Sequence, residues 1–291
     1  MILQDAPSPL VLILTFLVLS SFQFAEGARA AECRLEDDEQ SSRVVEIVDG
    51  DTLLLEDGRE VRLTGIQAPK LPLGRPNFQA WPLAVEARKA LSDLALDKTV
   101  MLRFGGTRSD RHGRVLAQVF VKDADTENLW LQREMLRSGL ARVYTFNDNR
   151  ACSDELLSAE REARGAGRGI WVDPFYDIRD ASNPNGLMER IGSFELVEGE
   201  IVSATQVRGR LYINFGEDYR NDFTVTVRER DVKLLAAEEP WTSLLDDSTG
   251  RKDLAALSGK LVRVRGWLDR YNGPEIEISH PEQIEFSRED H

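Results

Sequence analysis

VVEIVDGDTLLLEDGREVR, residues 44 to 62, is the stretch from which the rest of the chain is read. Short apolar runs separated by Asp-Gly dipeptides describe strands joined by tight turns. One such turn carries a carboxylate, Asp51, and a cation, Arg62, follows eleven residues later. Val61 and Leu63 alternate with Arg62 and Thr64, which puts Arg62 on the face opposite the core, where a ligand can reach it. A second piece, DRHGR at residues 110 to 114, adds Arg114 behind a glycine turn. One acid and two guanidinium groups converging on a phosphate would suit phosphodiester cleavage. The carboxylate can hold a divalent cation, and the planar forks match phosphate oxygens two at a time.

The order of the pieces is more specific than any one of them: V-x-DGDT, a hairpin, the strand VRLTGIQAP, then DRHGR followed by VLAQVFV. Downstream lie LWLQREMLRSGLARVY and LLSAEREARGAGRGIW, each with helical character. Together these resemble the thermonuclease family, the staphylococcal-nuclease-like domains, over roughly Arg43 to Trp171. The resemblance implies an α+β fold, a five-stranded OB-type barrel carrying three helices. It implies a calcium-dependent nuclease acting on DNA or RNA, with Asp51 as a Ca2+ ligand and Arg62 and Arg114 as catalytic, phosphate-clamping arginines. The family's strand end reads D-[TA]-P-E, its Asp a second calcium ligand and its Glu the residue that positions or deprotonates water. Here the same place reads Gln67-Ala68-Pro69-Lys70. An amide in place of an acid and an ammonium in place of a base predict a weakened calcium site and weakened hydrolysis. Lys70 either takes the place of the cation beside Asp51 or points into solvent from a loop.

Around this site, KLPLGRPNFQAW (residues 70 to 81) is too rich in Pro and Gly to be regular, and Pro82 opens a helix. Arg75 in that loop, His112 in the turn before Arg114, and Tyr144 between the two later helices are candidate substrate contacts. Tyr144 and Phe146 suit either stacking on a base or burial in the core. Residues 61 to 114 hold ten basic side chains against four acids, although the whole chain carries a net charge of −13. That balance excludes a large basic platform but leaves one face able to draw in a polyanion. Three histidines without ligand spacing do not support a zinc site.

At 291 residues and 42% hydrophobic content the chain is long enough for two ordinary domains. Residues 1 to 30 read as a signal peptide: an apolar run from Pro9 to Phe24, then Ala28-Arg29-Ala30 in the small-x-small form of a cleavage site. The expectation is a periplasmic or secreted protein with no stable membrane insertion after cleavage; the alternative is an uncleaved N-terminal anchor. Residues 31 to 42 form an acidic leader without periodicity, expected to be solvated and poorly ordered. Cys33 and Cys152 are an even pair that invites a disulfide in an oxidising compartment, two unpaired thiols being the alternative. Residues 43 to 172 are the nuclease-like part, and 173 to 192 read as a linker.

Residues 193 to 287 carry five short alternating strands with a helix-prone insert, Val232 to Leu257, after the third. That is the order of a second small OB-like barrel. Tyr212, Arg263, Arg265, Trp267 and Tyr271 would suit a stacking face on it. Three roles follow for the whole: a nuclease, a module that binds nucleic acid or another phosphate polymer without cutting it, and an envelope protein-interaction scaffold.

Overall fold

In the computed structural model, which describes residues 33–37, 41–122, 128–245 and 253–287, the Asp-Gly turns fold the opening stretch into a meander. After β1 (Glu36–Asp37), strands β2 (Ser42–Asp49), β3 (Thr52–Leu55) and β4 (Glu60–Leu63) pair antiparallel in sequence order. A short β5 (Gly65–Gln67) and helix α1 (Ala84–Ala95) lead to β6 (Thr99–Phe104) and β7 (Val115–Val121). β7 runs parallel to β4 and antiparallel to β6, and β6 pairs back onto β2. The barrel therefore closes in the order β2-β3-β4-β7-β6, an OB arrangement with its helix after the third strand. Strand β8 (Leu129–Trp130), α2 (Leu131–Arg137), β9 (Arg142–Tyr144) and α3 (Ser153–Gly165) complete this part, with β9 antiparallel to β5. Leu53, Val61, Leu63, Leu91, Leu102, Val119, Leu136 and Leu156 lie in its dry core.

Strict alternation along β2 would turn Val44, Glu46 and Val48 inward. The β2–β3 register instead slips between Val44 and Glu46 and again between Ile47 and Asp49. Such bulges change which face a side chain meets. Ile47 joins the core and Asp49 is buried behind it, while Glu46 is exposed. The following turn is pressed against α1: a Cβ on Gly50 would lie 2.7 Å from Ala68 Cβ and 2.8 Å from Ala87 Cβ, so no larger residue fits. This close seat fixes where Asp51 points.

The segment read as a linker, 173–192, contains β10 (Arg179–Asp180) and α4 (Pro184–Met188) and buries Tyr176, Ala181 and Leu187. Next come β11 (Phe194–Glu200), β12 (Ser203–Val207), β13 (Arg210–Asn214) and β14 (Thr224–Val227). Helices α5 (Glu229–Leu235) and α6 (Trp241–Leu245) fill part of the expected helical insert; residues 246–252 of it lie outside the described residues. β15 (Leu261–Tyr271), β16 (Gly273–Ile278) and β17 (Ile284–Phe286) finish the chain. β14 runs parallel to β16, β16 pairs with β15, and β15 with β11, which repeats the strand order of the first barrel. Its core holds Leu211, Ile213, Phe223, Val225, Val227, Val262, Val264, Leu268, Ile276 and Ile278, as their alternation predicts.

Residues 31–291 cluster as one compact unit, and the reason is polar as well as apolar. Arg265 of β15 is 1% exposed and forks onto Glu160 of α3 at 2.9 and 3.0 Å. Glu160, itself fully buried, also accepts from Val143 N at 2.5 Å and from Arg164 at 3.0 Å. Glu285 pairs with the same Arg265. Beside this cluster the Thr145 hydroxyl meets His280 Nε2 at 2.7 Å, and Arg150 bonds both oxygens of Glu282 at 2.9 Å. The expected stacking face on the second barrel is thereby divided. Arg265 is a buried joint, Arg263 is paired with Glu198, and Trp267 donates to Tyr144 Oη at 3.0 Å.

The acidic leader also differs from expectation in its described part. Cys33 is joined to Cys152 by a disulfide, and β1 pairs antiparallel with β6. Its two acids sit against basic side chains, Asp37 on Arg103 at 2.6 Å and Glu36 on Arg108 at 2.7 Å. Opposite charge explains why this polar segment lies along the barrel edge. At α3, Cys152 holds the N-cap position, and the Ser153 hydroxyl donates to Arg150 O. Residues 1–30 lie outside the described residues, among which no helix is long and apolar enough to cross a membrane.

Candidate phosphate site

Asp51, at the turn between β2 and β3, is fully buried, and a buried carboxylate must find its countercharge inside the protein. It finds two. Lys70 Nζ lies 2.7 Å from each Asp51 oxygen, and Arg62 Nη1 lies 3.0 Å from Oδ2. Ala68 N donates to Oδ2 at 2.8 Å. Lys70 also reaches Asp49 Oδ2 at 3.3 Å, so the ammonium is held between two acids with 19% of its side chain exposed. Burial pushes the Asp51 carboxyl up, but the charges of Arg62 and Lys70 outweigh it and hold the group below the usual carboxylate range. Asp49 goes the other way, raised by burial and then by the neighbouring Asp51 charge.

Arg62 is drawn inward rather than outward. Besides Asp51 it donates to the carbonyls of Asp51 at 3.2 Å, Leu63 at 3.1 Å and Ile66 at 2.8 Å. These bonds lock the end of β4 to the start of β5. Gln67 is turned away from Asp51: its Oε1 accepts from Arg142 Nε at 3.0 Å and from Nη2 at 2.8 Å. Arg142 is buried against Phe194 of the second barrel, and burial lowers its guanidinium only to about 10, so it remains a cation at neutral pH.

The remaining candidates stand apart from this knot. Arg114 forks onto Asp110, Nε at 2.8 Å and Nη2 at 2.7 Å, and no bond joins it to Asp51 among the described residues. Arg75 bonds Leu71 O and Pro72 O and covers the Phe78 ring at 3.7 Å, within its own loop. His112 is exposed and accepts from Arg111 Nε. Tyr144 packs edge-on to Phe146 and Phe194, between the two barrels. Asp49 and Arg142 were not singled out by sequence. Asp49 depends on a bulge that no residue type announces, and Arg142 depends on a partner 75 residues away.

The donor set does not fit a calcium ion. Calcium takes six to eight oxygens, normally with more than one free carboxylate. Here both oxygens of Asp51 already accept from cations, Asp49 shares the same ammonium, and Gln67 is committed to Arg142. Among the described residues no group of three or more His, Cys, Asp or Glu could hold a metal.

A model of the staphylococcal nuclease homologue family matches residues 60–173, the span that supplies Arg62, Gln67, Lys70 and Arg114. Protein ParB of Escherichia coli is 34% identical over 143 residues, covering 47% of this chain and 75% of that protein. The chain belongs to the staphylococcal nuclease family. An uncharacterized endonuclease of Escherichia coli is 32% identical over 135 residues, 45% of this chain and 76% of its own length. The thermonuclease of Staphylococcus hyicus is 26% identical over 172 residues, 56% of this chain and 95% of that protein. These relatives span about half of the present chain. Within its staphylococcal-nuclease barrel, a lysine ammonium sits against the turn carboxylate.

Proposed function

We propose that this chain is an exported member of the family that binds the phosphodiester backbone of DNA or RNA with little or no calcium-dependent hydrolysis. The observation that carries the reading is the Lys70 ammonium at 2.7 Å from both oxygens of Asp51. A fixed charge there neutralises the acid without metal, and an ammonium paired with two carboxylates has no lone pair with which to activate water. Arg62 is consumed in holding the turn, which leaves phosphate contact to the rim. Arg114 and Arg111 on the 110–114 turn and Arg75 in the adjoining loop are the groups best able to exchange their present partners for phosphate oxygens. The disulfide between Cys33 and Cys152 supports an oxidising compartment, periplasmic or extracellular.

The test is digestion and binding with one preparation. Single-stranded DNA, duplex DNA and RNA are incubated with calcium or with chelator, beside Asp51→Ala, and oligonucleotide binding is titrated in rising salt. The expected result is salt-sensitive binding unchanged by chelator and no calcium-stimulated cutting. Calcium-stimulated cutting that disappears in Asp51→Ala would overturn the reading.

A further inference from the structure

The second barrel carries a cleft of about 420 Å3 that takes in Tyr212 and Tyr271, the part of the expected stacking face not drawn into the joint between the barrels. Its walls include Tyr212 and Asn214 of β13, Tyr219 of the β13–β14 connection, Tyr271 and Asn272 of the β15–β16 turn, and Glu275 of β16. Tyr219 is 52% exposed and Tyr271 70%, so two large rings face solvent at its mouth.

Two turns hold those rings in place. In the connection before β14, Asp222 Oδ2 accepts from Asp218 N at 2.8 Å, and Asn221 Nδ2 donates to Asp218 Oδ2 at 2.7 Å. At the β15–β16 turn Asn272 takes a left-handed φ of 64°, which Asn tolerates. A Cβ on the next residue, Gly273, would lie 2.6 Å from the carbonyl oxygens of Asn221 and Asp222. The two turns are thus in backbone contact, and Tyr219 and Tyr271 are presented without a loop having to order on binding.

The charge of the cleft selects its ligand. No Lys or Arg lines it, and its one charged wall residue is Glu275, whose carboxylate accepts from Thr226 Oγ1 at 2.7 Å and Arg210 at 3.2 Å. Arg210, which pairs with Glu275, and Arg220, which lies over the Tyr219 ring at 4.8 Å, leave the walls close to neutral, whereas single-stranded nucleic acid requires a positive groove along its backbone. Aromatic faces beside amides, hydroxyls and a carboxylate match a pyranose, whose C–H faces lie on rings and whose hydroxyls both donate and accept. We infer that this cleft binds a short neutral saccharide chain.

The experiment titrates the full chain with chitin, cellulose and maltose tetrasaccharides and with a thymidine oligonucleotide, by calorimetry at low and high salt. The inference expects at least one saccharide to bind with an affinity indifferent to salt. It also expects Tyr219→Ala and Tyr271→Ala each to weaken that binding at least about ten-fold, with an unchanged melting curve. It is overturned if none of the three saccharides binds, or if binding survives both substitutions. Salt-sensitive oligonucleotide binding lost in the same two variants would also overturn it, by assigning the cleft to nucleic acid.

Discussion

A carboxylate with no solvent of its own is stable only while its countercharges stay in place, and Asp51 depends on Lys70 and Arg62 in that way. Lys70→Ala should therefore lower unfolding stability by about 2–3 kcal/mol in denaturant titrations, since Arg62 alone remains to balance two neighbouring acids. Reversing the local chemistry makes a second prediction. Lys70→Glu with Gln67→Asp removes the ammonium and restores two acids, so the melting temperature of this double variant should rise with calcium while that of the parent should not. A calcium-indifferent double variant would show that Lys70 is not what displaces the metal. His280 makes a third. Burial, then the charges of Arg150 and Arg265, push its imidazole down to about 3. The unfolded ring takes up a proton below about pH 6.5, whereas the folded ring does not until far lower, so this contribution to stability is full above that pH and is lost on acidification. Between pH 6.5 and 5 the expected slope approaches about 1.4 kcal/mol per pH unit, and His280→Gln should flatten it in thermal melts across that window.

At the scale of elements, the joint between α3 and β15 is the most consequential contact. Removing Arg265 alone leaves the buried Glu160 with Arg164 as its cation and takes a partner from Glu285, so Arg265→Met should cost about 3–5 kcal/mol. Replacing both partners, Arg265→Met with Glu160→Met, should cost less than the single change, because Arg164 and Glu285 are then left to pair with each other. Equal losses in the two would mean that packing, not charge, dominates the joint. These elements also mark how far the sequence could be read. Strand order in both barrels was legible, because alternation and Asp-Gly turns are local signals and Leu211, Ile213, Val225 and Val227 point where their spacing says. The inward turn of Asp49 was not, since a bulge reverses parity without changing composition. Arg265 reads as part of a stacking face opposite the core; it is buried because α3 covers that opposite face, a tertiary fact with no local trace. At the site, Asp51, Arg62 and Lys70 were legible as residues, and the Lys70 ammonium beside Asp51 was one of the two placements the sequence allowed; that Arg62 would turn in to the same carboxylate rather than face a ligand was not.

For the whole molecule, two barrels of one strand order are held together by buried ion pairs, and the first is closed on itself by a covalent link across 119 residues. Closing a loop of that length restricts the unfolded chain by about 4–5 kcal/mol in the loop-entropy account. Reduction, or Cys33→Ser with Cys152→Ser, should thus bring a clear loss of thermal stability, with an intact far-ultraviolet spectrum at room temperature as the check that the fold persists. The same bond decides how the protein bears tension. A pull applied at the N-terminal side enters the fold at Cys152, beside α3, and bypasses the first barrel's strands, which lie inside the closed loop. In a single-molecule stretching experiment the oxidised protein should extend without releasing those residues. The reduced protein should give up on the order of 400 Å more, at about 3.4 Å per residue. A chain tethered by its N-terminal end would keep the strands of its first barrel out of the line of load for as long as that bond stayed closed.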